Sequence, residues 1–504
     1  MTSRPSSKWR GRGDSLPDGG CKEKEYDLRP MSSSELERRM RQASRLALYG
    51  SMVLMIAAGY GLVVTIDRPA GLPDAETAWI RHDYLHDPTV QLLQSYVRID
   101  TSQSTGNEVS GARFLAAQLA AAGIRSEIEV LDGKHANLYA RLDGQDPHPL
   151  VLHNHIDVAD VDPREWIYPP FEAHLVLPWI WGRGVFDMKS VAVAQLLAMI
   201  DLARSGRPLR RSVLFLATGD EEAGDSRLGA QWVIRHRPEM VHDFWAVLTE
   251  GGTVEARTRS DVKYWGTEIG QKHFAKLTVC SDSPERLEDL RRSLLDSGYT
   301  QTDLHLLPQV AAVLAAYGPT RDSRLMREPL AHPQDLLTDV RAFRAMPGYV
   351  RSMLRNEAVP FHVKPAPGGG YQLLIMLHLL PGLRAADVRD QLLPPSLLLG
   401  LQTSLDEVPG SPLPSPTDHP AFREILATLK TEYPDFTAGP FFLPWTATDA
   451  RFFRAAGVPS YGFSPFLIMS TDTYQVDQQN ERLALPGFLQ GVALYRKLVR
   501  RLVL

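Results

Sequence analysis

Cysteine is almost absent from this chain, with Cys21 and Cys280 the only two in 504 residues. They fall on opposite sides of an apolar run at 46–66, so no disulfide framework is implied. An excess of charge of one sign is also missing. Lys and Arg total 55 against 59 Asp and Glu, a net charge of −4, which offers no basic field to nucleic acid. What is present is ordinary for a folded chain: 44% hydrophobic and 23% charged residues place it among globular rather than disordered sequences, and the length exceeds one compact core.

The exception lies near the start. Residues 46–66 carry no charge between Arg45 and Asp67. At about 1.5 Å rise per residue a helix of this length covers the roughly 30 Å hydrocarbon layer. Arg38, Arg39, Arg41 and Arg45 precede it, whereas acids dilute Arg68 and Arg81 after it. The positive-inside rule then predicts a single-pass membrane protein with a cytoplasmic N-terminus and the catalytic domain on the extracytoplasmic side. A cleaved signal peptide is the competing reading, set back by the length of the span and by the lack of an A-x-A site after it. Residues 1–45 read as a cytoplasmic tail, disordered over its Ser-, Gly- and Pro-rich start, and 67–87 as a tether.

The chemistry is concentrated at three predicted strand ends. Val151-Leu152-His153-Asn154-His155-Ile156-Asp157-Val158 begins as a buried apolar run, and residues two apart on a strand share a side, so His155 and Asp157 face one space. A carboxylate two residues beyond an imidazole is a natural clamp for the nitrogen that does not ligate. The run Ser212–Thr218 is followed by Asp220-Glu221-Glu222, and Phe244–Leu248 by Glu250. In open α/β sheets ligands gather beyond the carboxyl ends of the strands, so these groups and Asp187 can converge. Taken singly, each signal is weak: paired acids usually open a solvated helix, and Gly182-Arg183-Gly184 alone is a turn. Their order, each after a strand, is what makes a metal-dependent hydrolase the reading.

Three runs carry a family resemblance: Trp166-Ile167-Tyr168-Pro169-Pro170-Phe171, Trp181 through Asp187-Met188-Lys189, and Gly219-Asp220-Glu221-Glu222-Ala223-Gly224. With Ala447-Thr448-Asp449-Ala450-Arg451-Phe452-Phe453 and Gly457 through Pro465, the chain resembles the M20 metallopeptidase family over roughly residues 88–504. That family includes carboxypeptidases and aminoacylases, some membrane-anchored and some secreted. The resemblance implies two Zn²⁺ ions bridged by Asp187, with His155 and Glu250 on one and Glu222 on the other. It also implies Glu221 as the general base that activates water, and a substrate that is a peptide or an N-acyl amino acid cleaved beside a free carboxylate. Arg451 is the expected partner of that carboxylate, because its planar fork suits it. The lid in this family is often a dimerisation surface, so the resemblance leaves both a monomer and a homodimer through the lid open.

Two departures stand out. The last ligand in the family is a His, and here Val476-Asp477-Gln478-Gln479-Asn480-Glu481-Arg482 places Asp477 at that position, with no histidine after His419. An all-carboxylate site of Asp187, Glu222 and Asp477 favours harder ions, so the second site is expected to be weak and to take Mn²⁺ or Co²⁺. The lid segment at Val279-Cys280-Ser281-Asp282 lacks the family histidine, while His362 and His378 stand where the family has Asn and Arg, and are candidate substrate-binding residues. The alternative these departures raise is a degenerate member that binds peptides or partners without turnover.

The pattern of elements predicts an α/β fold: a zinc-peptidase-type catalytic domain with a mixed sheet flanked by helices, plus an inserted α+β lid. Its expected parts are residues 88–266 and 407–504 for the catalytic domain and 267–406 for the lid. Within the lid, Leu306 to Arg355 reads as a helical elaboration.

Overall fold

The computed structural model describes residues 82–258, 261–296, 304–393, 395–407, 413–467, 476 and 478–504. The tail, the expected span at 46–66, most of the tether and Asp477 lie outside the described residues.

Among the described residues the large sheet has nine strands. At its centre Arg211–Thr218, Asp146–His155, Ala246–Thr249 and Ser460–Gly462 run parallel, in that order. Parallel strands covered on both faces need unbroken apolar runs, and Asp146–His155 is buried without interruption from Pro149 onward. Ala136–Leu142 and Ser126–Val130 extend one edge antiparallel, while Asp261–Gln271 and Ala438–Leu443 extend the other.

Helices cover the sheet where their caps permit. Pro88–Val97 starts at Asp87, whose carboxylate accepts from the N–H groups of Thr89 and Val90 at 2.8 and 3.1 Å, and Pro88 needs no donor in that first turn. Lys189–Ser205 ends on Gly206, which takes the left-handed conformation at φ 62° that favours glycine. This helix packs against the C-terminal helix Leu485–Val503.

A second sheet of five strands is built on His273–Ser281 and Tyr371–Leu379, paired antiparallel. Tyr371–Leu379 alternates buried and half-buried residues, as a sheet with one covered face must. Its buried side packs on the helices Pro284–Asp296 and Ala385–Leu392 through Leu287, Leu290, Ile375, Leu377 and Val388, a core separate from the larger one. Only Lys272 separates the strand Asp261–Gln271 of the large sheet from His273–Ser281 of the small one.

Packing divides the interval 267–406 between the two cores. Pairing with Ala438–Leu443 carries the large sheet past Thr267 to Gln271. The helices between Pro308 and Ser352 send Val310, Val313, Leu314, Tyr317, Leu330 and Val350 into the larger core. Between Leu306 and Arg355 the chain is largely helical, and its helix Pro308–Tyr317 packs on the strand Ala438–Leu443 of the large sheet.

The membrane placement read from the sequence is corrected. Among the described residues no helix is long and apolar enough to cross a membrane. Leu485–Val503 buries one face in the core, while its charged face pairs Arg496 with Asp201, Lys497 with Glu432 and Arg501 with Glu424.

Candidate active site

The three central strands Arg211–Thr218, Asp146–His155 and Ala246–Thr249 are adjacent and parallel, so their carboxyl ends lie along one edge. His155 ends one strand, Glu250 directly follows another, and Glu221 and Glu222 lie on the loop leaving the third. Asp187 comes from the turn that opens the helix Lys189–Ser205.

His155, Asp187 and Glu250 each bring one ligating atom within 4.8 Å of the others. His155 Nε2 lies 3.0 Å from Asp187 Oδ1 and 3.6 Å from Glu250 Oε2. On its other side Nδ1 meets the backbone carbonyl of Asp157 at 2.9 Å, and the Asp157 carboxylate is farther, at 3.6 Å. With Nδ1–H donating to that carbonyl, Nε2 of a neutral ring is a lone pair facing carboxylates. Only a proton or a cation makes that arrangement favourable. Burial works against charge on His155, but the Glu250 carboxylate and the hydrogen bonds to its neighbours outweigh it and hold the imidazole well above its ordinary value.

The acids show the same frustration. Burial, then the charge of Asp187, pushes Glu250 well above the usual carboxylate range. Burial likewise raises Glu222, with Asp187 and Glu221 adding to it. Glu221 is raised by burial and by Glu250, Asp449 and Asp187, against a lowering influence of His155. Asp157 differs: burial opposes its charge, yet His155 and the N–H groups of Glu222 and Glu221 keep it low. Its Oδ2 accepts from Glu222 N at 2.9 Å. The expected carboxylate clamp on His155 is therefore a carbonyl clamp, and the Asp157 side chain holds the Glu222 backbone instead.

These residues fit a divalent cation. Close carboxylates in low dielectric are costly without a positive partner. Glu222 Oε1, although on a half-buried residue, is enclosed and has no hydrogen-bond partner among the described residues. One nitrogen and two oxygen ligands leave an open coordination position, as catalytic metal sites require.

Arg451 is buried, its Nη2 donates to the Gly224 carbonyl, and its Nε has no partner. It therefore touches the loop that carries Glu221. His378 lies on the small sheet opposite Glu357, with Phe274 edge-on at 4.8 Å between ring centroids. Burial takes its imidazole down to about 4. His362 is exposed in the turn after the strand Glu357–Pro360. Neither histidine belongs to the group around His155.

Two supporting residues have no assigned role in the sequence reading. Glu481 is buried, and its carboxylate accepts from Arg183 Nη1 at 2.8 Å and from the N–H groups of Gly184, Phe186 and Asp187 at 3.1, 2.8 and 3.2 Å. A small sheet delivers it: Arg482–Ala484 pairs with Trp179–Trp181. The signal was its place in the Asn480-Glu481-Arg482 run. Asp449 accepts from Ser226 Oγ at 2.5 Å and lies 3.7 Å from His153 Nε2, and burial raises its carboxyl to about 6.

Comparison with known proteins gives the same direction. The model of Peptidase family M20/M25/M40 matches residues 151–501. Aminoacylase-1A of Rattus norvegicus is 26% identical over 430 residues, covering 82% of this chain and 95% of that protein. A succinyl-diaminopimelate desuccinylase of Paracoccus denitrificans is 37% identical over 119 residues, 23% of this chain and 31% of its own. Among solved structures, the M20 family metallo-carboxypeptidase Sso-CP2 from Sulfolobus solfataricus superimposes with a TM-score of 0.63 at 15% identity, over 82% of this chain and 99% of that one. The di-peptidase Dug1p from Saccharomyces cerevisiae gives 0.62 at 14% identity, over 84% and 98%. With the fold in common, a family match over most of the chain and a metal-fitting group at the strand ends, this chain belongs to peptidase family M20/M25/M40 and is a metal-dependent hydrolase.

Proposed function

We propose that the chain hydrolyses an amide bond beside a free carboxylate, in an N-acyl amino acid or at a peptide C-terminus. The observation that carries this reading is the convergence of His155, Asp187 and Glu250, with the unpartnered Glu222 oxygen nearby. His155, Asp187 and Glu250 would hold one Zn²⁺, and Glu222, with Asp187 and Asp477, a second and weaker ion. When bound, such an ion supplies Lewis acidity toward a carbonyl oxygen and acidifies water.

The residues of the chain then have separate tasks. Glu221 takes the proton of the attacking water and returns it to the leaving nitrogen. Burial first raises its affinity for a proton, the direction that suits a base which must hold the proton it takes before returning it. Asp157 fixes the ring of His155 through its carbonyl and the backbone at Glu222 through its carboxylate. Arg451 braces the loop at Gly224. The aminoacylase name of the rat relative supports the acylated amino acid as the substrate class.

The test pairs an N-acyl amino acid with its C-terminal amide, assayed after metal removal and after adding Zn²⁺, Mn²⁺ or Co²⁺. Turnover of the free acid that depends on added metal, with the amide cleaved at least about 10-fold more slowly, is the expected result, since a site built for a charged partner loses strongly when it is absent. Equal cleavage of both compounds contradicts the carboxylate requirement. Turnover that does not depend on metal contradicts the centre.

A further inference from the structure

Glu108 opens the helix Glu108–Ala121, and a first-turn glutamate ordinarily faces solvent. Here it is 2% exposed. Its Oε1 accepts the N–H of Asp220 at 3.0 Å, and its Oε2 accepts the N–H of Ala136 at 3.0 Å. Asp220 is the residue immediately before Glu221 and sits at φ 61°, a conformation that costs a non-glycine residue free energy and persists only when its surroundings enforce it.

The rest of the loop neck is tied in the same place. Gly219 N donates to Asn137 Oδ1 at 3.3 Å, Asn137 Nδ2 donates to the Leu228 carbonyl at 3.0 Å, and Leu228 N donates to Asp220 Oδ2 at 2.9 Å. A Cβ on Gly219 would stand 1.7 Å from Glu108 Oε2, and one on Gly229 would stand 1.8 Å from the Gly219 carbonyl. The glycines at both ends of the loop therefore admit the carboxylate and close the neck.

We infer that Glu108 is a positioning residue for the proposed base: by accepting the Asp220 N–H it holds the strained turn that aims Glu221 at the His155, Asp187 and Glu250 group. The inference rests on the reading of Glu221 as the proton carrier. Glu108 touches neither substrate nor the reacting atoms, so its loss acts through geometry.

The test uses the full chain and four variants: Glu108→Gln, Glu108→Ala, Gly219→Ala, and the Glu108→Ala/Gly219→Ala double variant. Amide exchange over residues 219–224 and the split between kcat and KM are read for each. Glu108→Gln turns an N–H donor toward one of the two backbone donors, so exchange at Asp220 should accelerate and kcat fall about 10-fold or more with KM little changed, as a displaced catalytic group does. Gly219→Ala should reproduce this by forcing the carboxylate out. It should cost little more once Glu108 is already Ala, because coupled neighbours are non-additive. If Glu108→Ala fails to fold, Glu108→Gln and Gly219→Ala still decide the matter. Unchanged exchange at Asp220 in those two variants, or a rise in KM with kcat unchanged, overturns the inference. Glu221→Gln run alongside keeps the two readings apart: its full activity would remove the base assignment, while exchange at Asp220 still reports whether Glu108 holds the turn.

Discussion

The carboxyl edge of the large sheet and the body of the small sheet handle polar side chains in contrasting ways. At the large sheet, Asp157, Asp187, Glu221, Glu222 and Glu250 crowd around His155, and the turns that carry them are fixed by backbone N–H groups donated to Asp157 and Glu481. On the small sheet, His378 is one half-buried residue of a strand, packed against Phe274, and His362 faces solvent. The difference follows from where each group sits. Loops at the ends of parallel strands can turn side chains toward one point, whereas a residue within a strand, such as His378, is committed by the pleat to one face.

The largest effect that sharpens this contrast is expected at His155. His155→Ala removes the only nitrogen of the three-residue group and leaves buried carboxylates unbalanced. Tightly held metal and turnover should both be lost, with activity down by roughly 10³-fold or more, as for loss of a metal that stabilises developing charge. Metal analysis beside a rate measurement checks it. Retention of metal at the parental level would remove His155 from the centre.

A step smaller is Glu481. Its carboxylate receives the N–H of Asp187 and the guanidinium of Arg183, both away from bulk water. Glu481→Gln keeps the shape but leaves donors facing a donor, which costs about 1–3 kcal/mol for each group left unsatisfied. Weaker metal binding, by about 10-fold or more in a competition titration, is the expected outcome, in the range seen when groups supporting a metal ligand are removed. An unaltered affinity would mean that the Asp187 turn holds without it.

The small sheet should respond least. His378→Phe is expected to leave kcat and KM within about 2-fold, with its effect confined to stability. Burial lowers the folded imidazole to about 4 from the ordinary 6.5, so the unfolded chain takes up a proton first as the pH falls. The stabilising contribution is present in full above about 6.5 and is lost as the pH drops toward about 4. Thermal unfolding followed across that window should show a shallower acid slope in the variant. A large fall in kcat instead would bring the small sheet into the chemistry.

The strand-end groups were legible because the apolar runs before them mark strands, and the acids follow at the ends. His155 and Glu250 come together on that account, and Asp187 reaches them from the turn that opens the helix Lys189–Ser205. Glu481 was not assigned a role, since it meets Arg183 across 298 positions through paired strands too short to show periodicity. The Asp157 carboxylate was expected on the His155 ring, but the backbone carbonyl of the same residue reaches Nδ1 first. Sequence spacing does not distinguish these two oxygens. The segment Leu306 to Arg355 was read as a helical elaboration, while the packing of its helix Pro308–Tyr317 on the strand Ala438–Leu443 depends on a tertiary contact that no local pattern encodes. Arg451 was read for its chemistry alone; in the fold it is buried and its Nη2 donates to the Gly224 carbonyl, a contact no spacing announces.

The central claim is that Glu221 moves the proton at a metal centre it does not itself build. Glu221→Gln preserves the side-chain shape and removes only its capacity as a base, so metal content and turnover measured on the same preparation separate the two roles. The account predicts metal content unchanged from the parent and kcat lower by roughly 10²-fold or more. A Gln variant that turns over within a few-fold of the parent, or one that loses its metal along with its activity, would contradict it.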